Sequence, residues 1–495
     1  MNLNEITKLL TIKEVHGDTD IEFFGIKMNS TRVVPGDLFI CVPGIPGLLE
    51  DRHQYAEDAI RAGAVALVVE QDVNINVPTI KVPDSRYAMA VISTHFNGYS
   101  SSKIKVVGVT GTNGKTTTSH MLESILSHSG FKTGMMGNLG TKIGSTLFET
   151  DLNTQEAPTL QLNLKRMVDE SIDYCVMEVS SQGLSLDRVL GCDFRTGIFT
   201  NLTQDHLDYH HSMDLYQEAK GLLFSRMGNS FHPDPSKRKF AILNADDPVS
   251  EAYKKLTSAQ VITYGIINDA DIMAKNIALN STGTNFDLIS YKGDFRVSMK
   301  MVGTFNVYNA LAAIAAALVE DIPTESIQLG LKKLKMVRGR MEIIDAKQDF
   351  LLLVDYAHTP DGLDKALSTL NEFAEKRIIT VFGCGGDRDR TKRPIMGRIA
   401  AEYSDVVIVT SDNPRSEDPI GILKDIEKGI KEKSDSLLYE LQVDRKLAIK
   451  RAVELAQEGD IIIIAGKGHE TYQIINRTTF HFDDAEVARE ALREK

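Results

Sequence analysis

Val106-Val-Gly-Val-Thr-Gly-Thr-Asn-Gly-Lys-Thr-Thr117 decides how this chain is read. The mostly apolar run Ile104 to Val109 predicts a buried strand. A small polar loop follows, Thr110 to Gly114. Lys115 to His128 predicts a helix, with Met121, Leu122, Ile125 and Leu126 on one face and Gly130 as its stop. Strand, glycine loop, Lys-Thr and helix together form a phosphate-binding arrangement, because backbone N–H groups and the positive helix end wrap an anion. Lys115 is placed to reach outer phosphates and Thr116 to hold Mg²⁺. The usual pattern has glycine where Val109 stands; the glycines here are Gly108, Gly111 and Gly114. An ordinary strand-to-helix turn is the competing reading, and the agreement of loop, lysine, threonine and flanking elements weighs against it. The loop does not distinguish ATP from GTP.

A chain of 495 residues predicts about three domains, and 42% apolar content suffices for ordinary cores. A net charge of -12 argues against non-specific binding to nucleic acid or an anionic membrane. It leaves room for an anionic substrate in a local basic pocket. Cys41, Cys175, Cys192 and Cys384 are scattered with no C-x-x-C pair, which speaks against zinc and suits reduced thiols in the cytoplasm. The start, Met1-Asn-Leu-Asn-Glu5, lacks a signal-peptide layout, and the run Ala310 to Val319 is too short to span a bilayer. No membrane insertion and a monomer are expected.

Residues 1–98 read as a small α/β unit. Strand-like runs Ile21 to Ile26, Asp37 to Val42, Ala64 to Val69 and Thr79 to Val82 alternate with turns, and Tyr55 to Ala62 predicts a helix stopped by Gly63. Asn29-Ser-Thr-Arg-Val-Val-Pro-Gly-Asp37 could hold the polar head of a nucleotide sugar, though alone it reads as a plain surface loop. Asn97-Gly-Tyr-Ser-Ser-Ser-Lys103 reads as a flexible linker.

Residues 99–333 continue from the phosphate loop. Asp151-Leu-Asn-Thr-Gln-Glu-Ala-Pro158 is polar and leads into a helix. Tyr174 to Gly183 delivers Glu178 at the carboxyl end of a buried strand, beside the phosphate loop, where it would bind Mg²⁺ or make a structural salt bridge. His206, between Asp205 and Asp208, suggests a second cation site or a structural histidine. Lys220 lies among apolar residues of a predicted helix, Tyr216 to Phe224; from spacing alone it reads as solvent-exposed. Buried, it would have a lowered pKa and react with CO₂ to form a metal-binding carbamate. Gly303 to Ala313 opens a helix, with Asn306 placed to cap it or to read a base edge.

Residues 334–495 carry four apolar runs, each ending in a polar motif: Phe350 to His358, Arg377 to Asp389, Asp405 to Arg415 and Asp460 to Glu470. Helical spacers between them predict a parallel sheet covered on both faces. Ligands bind outside the carboxyl ends of such strands, so all four motifs fall on one edge. Gly383-Cys-Gly-Gly386 is not a dinucleotide fingerprint. Arg388 and Arg415 imply a ligand rich in carboxylates, since a guanidinium holds a carboxylate with two parallel hydrogen bonds. Glu470 suits an ammonium group, so the ligand reads as an amino acid with an extra carboxylate.

Across its whole length the chain resembles the Mur ligases, ATP-dependent amide-forming enzymes of peptidoglycan precursor synthesis. The resemblance rests on Thr110 to Thr116, Met177 to Ser181, Thr200 to His206, Ala219-Lys220 with Leu223-Phe224, Asn244 to Asp247 and Gly303 to Asn306. It implies three α/β domains: an N-terminal UDP-binding unit, a central phosphate-loop ATPase with a mostly parallel sheet, and a C-terminal Rossmann-like unit. It implies that Thr110, Gly111, Thr112, Asn113, Gly114, Lys115, Thr116, Asn306, Arg340 and Asp355 contact ATP. Glu178, His206 and Thr116 are implied to bind Mg²⁺ together with Lys220, carried as N6-carboxylysine. Ser30, Asn153, Thr154, Ser180 and Arg188 are implied to contact the UDP-sugar peptide, UDP-MurNAc-L-Ala-D-Glu. Asp412-Asn-Pro-Arg415 looks like the motif of family members that add meso-diaminopimelate, with Arg388, Gly466 and Glu470 completing the site; lysine-adding members lack the arginine. A folylpolyglutamate-type ligase shares the phosphate loop and is the nearest alternative, and a phosphate-loop switch or motor is a more distant one.

Overall fold

The computed structural model describes residues 1–47, 49–150, 152–280, 283–433 and 437–495. Asp151, the first residue of the polar stretch noted above, lies outside them. Three α/β units follow one another along the chain.

The first unit has β1 (Glu14–His16), β2 (Gly25–Lys27), β3 (Asp37–Ile40), β4 (Ala66–Val69) and β5 (Thr79–Lys81), in the order β1-β5-β4-β3-β2. β2 to β5 run parallel and β1 is antiparallel to β5. β3 and β4 are buried along their whole length, as uninterrupted apolar runs require. The expected strand over Ile21 to Ile26 is shorter because its first half pairs with the amino terminus: Leu3 N donates to Ile21 O at 2.8 Å and Phe23 N to Met1 O at 2.9 Å.

Asn97 to Lys103 is not a flexible linker. Asn97, Ser100 and Ser101 are buried. Ser100 Oγ donates to Asn97 O at 2.7 Å, and Ser101 Oγ accepts from Asp193 N at 3.0 Å. Hydroxyls that satisfy nearby backbone groups let a polar run be buried, and composition alone does not reveal that.

The central sheet contains β6 (Lys105–Thr110), β7 (Thr133–Gly137), β8 (Gly140–Ile143), β9 (Thr146–Phe148), β10 (Tyr174–Glu178), β11 (Phe194–Phe199), β12 (Phe240–Asn244), β13 (Gln260–Gly265), β14 (Ile272–Asn280), β15 (Gly283–Ser290) and β16 (Phe295–Met299). Their order is β16-β15-β14-β13-β12-β11-β6-β10-β7-β8-β9. The strands from β14 to β7 in that order are parallel, with antiparallel hairpins at both ends. Helix Lys115–His128 and helix Thr304–Leu318 cover one face through Met121, Leu122, Ile125 and Ala310 to Leu318. The other face packs on Leu160, Leu164, Met167, Leu223 and Phe224.

The third sheet has β17 (Glu342–Ile343), β18 (Leu351–Asp355), β19 (Ile378–Phe382), β20 (Val406–Thr410), β21 (Leu438–Gln442) and β22 (Ile461–Ala465), in the order β17-β18-β22-β19-β20-β21. All but β17 are parallel, so the four polar motifs share one edge, as the apolar runs predict. A hairpin, β23 (Tyr472–Ile475) and β24 (Thr478–His481), follows. Among the described residues no helix is long and apolar enough to cross a membrane. All four cysteines are free.

Candidate active site

The loop after β6 is shaped by two glycines. Gly111 and Gly114 have φ of 149° and 88°. A Cβ at Gly111 would collide with Thr200 Oγ1, and one at Gly114 with Asn309 Oδ1. The loop rests on the end of β11: Thr112 N donates to Asn201 O at 2.8 Å, Asn113 N to Asn201 Oδ1 at 3.0 Å, and Thr200 Oγ1 to Asn113 O at 2.6 Å. This seating leaves the loop wrapped around the amino end of helix Lys115–His128, a ready anion cradle.

Two lysines converge on one oxygen. Lys115 Nζ donates to Gly111 O and Thr112 O, both at 2.9 Å. Lys220 Nζ donates to the same Gly111 O at 2.8 Å. Lys220 is 1% exposed, so the exposed lysine expected from spacing is corrected. Its helix, Met213–Arg226, turns it inward beneath the loop, with Nζ 4.4 Å from the centre of the Tyr216 ring. Burial first, then Lys115, pushes its pKa well below the usual 10.5. Burial also lowers that of Lys115.

Glu178 ends β10 as read from sequence. It makes no salt bridge among the described residues; Oε2 accepts from Thr116 Oγ1 at 3.0 Å and Oε1 from Asn138 N at 2.9 Å. Thr154 Oγ1 donates to Glu178 O and accepts from Ser180 N, each at 3.0 Å. Arg188, 7% exposed, donates through Nη1 to Thr154 O at 3.3 Å and through Nε to Glu156 Oε1 at 2.9 Å. Thr154, Ser180 and Arg188 thus stand together behind Glu178. His206 adopts a left-handed backbone, φ 53°, and its Nε2 lies 3.4 Å from Asp205 Oδ2.

Part of this set borders a cavity of about 550 Å³ between the carboxyl edges of the central and third sheets. Thr112, Asn113, Gly114, Lys115, Thr116, Asn153, Glu178, His206, Arg340 and Asp355 line it. Thr110, Gly111, Lys220, Thr154, Ser180 and Arg188 stand outside the lining. Asn306 also does: its Nδ2 donates to Val302 O at 2.8 Å and its Oδ1 accepts from Asn309 at 3.1 Å, while Thr304, Phe305, Tyr308 and Asn309 of the same helix reach the cavity. Ser30 lies apart from the cavity, opening the short turn Ser30–Arg32.

The third unit reaches across the cleft. Arg340 Nη2 donates to Thr116 Oγ1 at 3.3 Å, and its guanidinium carbon sits 4.4 Å from the centre of the Tyr356 ring. Asp355 accepts from Met341 N at 2.7 Å and Ala357 N at 2.8 Å. Asp361, missed in the sequence, takes Asn113 Nδ2 at 2.5 Å and Thr203 Oγ1 at 2.9 Å. An acidic residue in the first turn after Thr359-Pro360 was its only signal.

Arg388 and Arg415 flank Gly385: a Cβ there would meet Arg415 Nη1 at 2.9 Å and Arg388 Cγ at 3.8 Å. Arg415 Nη1 donates to Gly386 O at 2.7 Å, and neither guanidinium takes part in an ion pair among the described residues. Asn413 Nδ2 donates to Glu470 Oε2 at 2.9 Å. Lys467, fully buried, donates to the same Oε2 at 3.2 Å and lies 4.0 Å from Asp412 Oδ1. Lys467 lies within the run Asp460 to Glu470, and sequence reasoning assigned it no part. Burial raises the Glu470 pKa, with Lys467 opposing. None of Arg388, Asp412, Asn413, Pro414, Arg415, Gly466 and Glu470 lines the 550 Å³ cavity; Tyr356 lies between, its ring centre 4.9 Å from that of His469.

A phosphate cradle, buried lysines and a carboxylate facing a second α/β unit across a cleft define a class. Residues 109–317 match the Mur ligase middle domain and residues 339–468 the Mur ligase glutamate ligase domain, and the chain belongs to the Mur ligase family. The UDP-N-acetylmuramoyl-L-alanyl-D-glutamate–2,6-diaminopimelate ligase of Bacillus licheniformis is 48% identical over 99% of each chain. A solved structure of a ligase of that name superposes with a TM-score of 0.69 at 33% identity, covering 100% of this chain and 99% of the other. A folylpolyglutamate synthase from Mycobacterium tuberculosis shares the fold, at 17% identity and a TM-score of 0.63 over 76% of this chain and 92% of its own.

Proposed function

We propose that this protein is an ATP-dependent ligase that adds meso-2,6-diaminopimelate to UDP-MurNAc-L-Ala-D-Glu in peptidoglycan precursor synthesis. The observation that carries the reading is the pair Arg388 and Arg415, which flank Gly385 and take part in no ion pair among the described residues, with Glu470 and Asp412 near by. Diaminopimelate is lysine plus a carboxylate at the far carbon. With lysine bound, the arginine pair would stay unsatisfied in a closing site, costing roughly 10²-fold in selectivity. Full-length relatives bearing that activity in their names support the same choice.

The chemistry needs two steps. A carboxylate oxygen of the D-Glu residue attacks the γ-phosphorus, the bond to the β-phosphate oxygen breaks, and ADP leaves an acyl phosphate. The deprotonated amine of diaminopimelate then attacks the acyl carbon, and inorganic phosphate departs as the amide forms. Both reactants of the first step are anions, so charge repulsion dominates the barrier. Lys115 and the loop N–H groups offset it, and Arg340 adds charge from the other side of the cleft. Thr110 to Thr116, Asn306, Arg340 and Asp355 are assigned to ATP. Ser30, Asn153, Thr154, Ser180 and Arg188 are assigned to the UDP-sugar peptide.

The donor set fits Mg²⁺: Glu178 makes no salt bridge among the described residues, and the hydroxyl of Thr116 already meets its carboxylate. Thr116, Glu178, His206 and Lys220 as its carbamate would hold the ion, which would neutralise phosphate charge when bound. A buried amine with a lowered pKa supports that modification of Lys220. We assign the enzyme to the cytoplasm as a monomer, with residues 1–98, 99–333 and 334–495 as its domains.

The test is phosphate release from ATP, Mg²⁺ and UDP-dipeptide with diaminopimelate or lysine. Release that depends on diaminopimelate supports the reading. Equal release from both overturns the specificity, and release that depends on lysine favours a lysine-adding enzyme. Absence of UDP-sugar binding would favour the folylpolyglutamate type, and release that needs no amino acid a switch or motor.

A further inference from the structure

We propose that Glu417, clamped by the buried Arg393, is the positioning residue that sets the spacing of Arg388 and Arg415 and so selects the incoming amino acid. The proposal rests on the assignment of that arginine pair to a diaminopimelate carboxylate.

Arg388 and Arg415 hang from different loops, one after β19 and one after β20. Neither loop is regular, so nothing in the strands themselves fixes the distance between the two guanidiniums. Glu417 stands two residues beyond Arg415 and joins the loops. Its Oε1 accepts from Asp387 N at 2.7 Å, next to Arg388. Arg393, 1% exposed, grips both of its oxygens, Nη2 to Oε1 at 2.9 Å and Nη1 to Oε2 at 3.1 Å. Such a fork fixes direction as well as distance. The same Arg393 holds Asp425 Oδ2 at 3.1 Å and Gly385 O at 3.4 Å. Gly385 is the residue that both arginines flank. The carboxylate therefore anchors the two loops and the helix Lys392–Tyr403 at one point.

A second tie runs in parallel. Asp387 accepts from Ser416 Oγ at 2.7 Å and from Ser416 N at 3.1 Å. Asp387 and Arg415 both hold left-handed backbones, φ 53° and 51°. Residues other than glycine avoid that conformation, and it persists where surrounding bonds impose it, most often at functional sites. Here Glu417 and Ser416 hold Asp387, while the backbone of Arg415 is held by β23 and the residue after it, its N donating to Ile474 O at 3.0 Å and its O accepting from Asn476 N at 2.8 Å. Neither Glu417 nor Ser416 touches the proposed ligand region directly; they act through the loops they tie.

The experiment compares wild type with Glu417→Gln, which keeps shape and removes charge, and Glu417→Asp, which keeps charge and retracts it. In both variants the KM for diaminopimelate should rise about tenfold or more and the preference over lysine fall to a similar degree, while the KM values for ATP and UDP-dipeptide stay within about twofold. Should Glu417 variants not fold, Asp387→Asn and Ser416→Ala cut the second tie at exposed positions and should move the diaminopimelate KM the same way. An unchanged diaminopimelate KM in folded variants overturns the proposal. A parallel rise of all three KM values overturns it too, since that marks a merely structural role. Wild type that does not use diaminopimelate sinks the site assignment itself, and the clamp falls with it.

Discussion

Arg415, in no ion pair among the described residues, holds a left-handed backbone of φ 51°. The backbone cost is roughly 1–2 kcal/mol for an L residue and smaller for asparagine. Arg415→Asn should therefore raise stability in thermal unfolding by up to about 1 kcal/mol, while cutting the preference for diaminopimelate over lysine by roughly 10²-fold. A variant that kept its preference would remove Arg415 from amino-acid selection. Lys220 makes a different prediction. Its folded pKa lies below the usual 10.5, so the folded chain binds fewer protons than the unfolded chain. Stability then rises with pH from the folded pKa up to the unfolded one. In CO₂-free buffer, Lys220→Met should flatten that rise in denaturant titrations at successive pH values. Lys220→Ala should lose activity and recover part of it with acetate or formate, which replace the carbamate anion. The lysine's burial was not legible in the sequence because its helix carries apolar residues around much of its circumference, so spacing assigns no outer face.

At the scale of elements, the strands were legible and their loops less so. Continuous apolar runs such as Ile461 to Ala465 can be satisfied only between two covered faces, and the parallel order follows. The helix Lys115–His128 begins and ends where the loop and Gly130 require. Asp361 stayed hidden because its partners, Asn113 and Thr203, lie in another unit of the chain. The same holds for Glu417 and Arg393, whose meaning depends on loops brought together by strand order. Loss of the Asp361 tie should be felt by the nucleotide loop. Asp361→Ala should raise the KM for ATP about fivefold, the value for one net hydrogen bond of about 1 kcal/mol, with little change in melting temperature. Steady-state titration of ATP checks this, and an unchanged KM would confine Asp361 to structure.

At the scale of the whole molecule, the central and third sheets present their carboxyl edges to a common cavity of about 550 Å³. The proposed amino-acid cluster stands just beyond Tyr356 on that edge, so the reacting groups meet only if the units draw closer. Small-angle scattering with an ATP analogue, UDP-dipeptide and diaminopimelate should give a smaller radius of gyration than the free protein. An unaltered radius would argue against closure. Lys115→Ala should abolish turnover and leave the scattering profile of the free protein unchanged.

The phosphate cradle belongs to the β6 loop, whereas Arg388 and Arg415 hang from the loops after β19 and β20, far along the chain. Energy supply and choice of recipient are thus written in separate stretches of sequence that fold as separate layers. Swapping the short connections behind those two strands should retool the enzyme for a new amine without disturbing how it spends its triphosphate, which makes those connections the natural target for redesign.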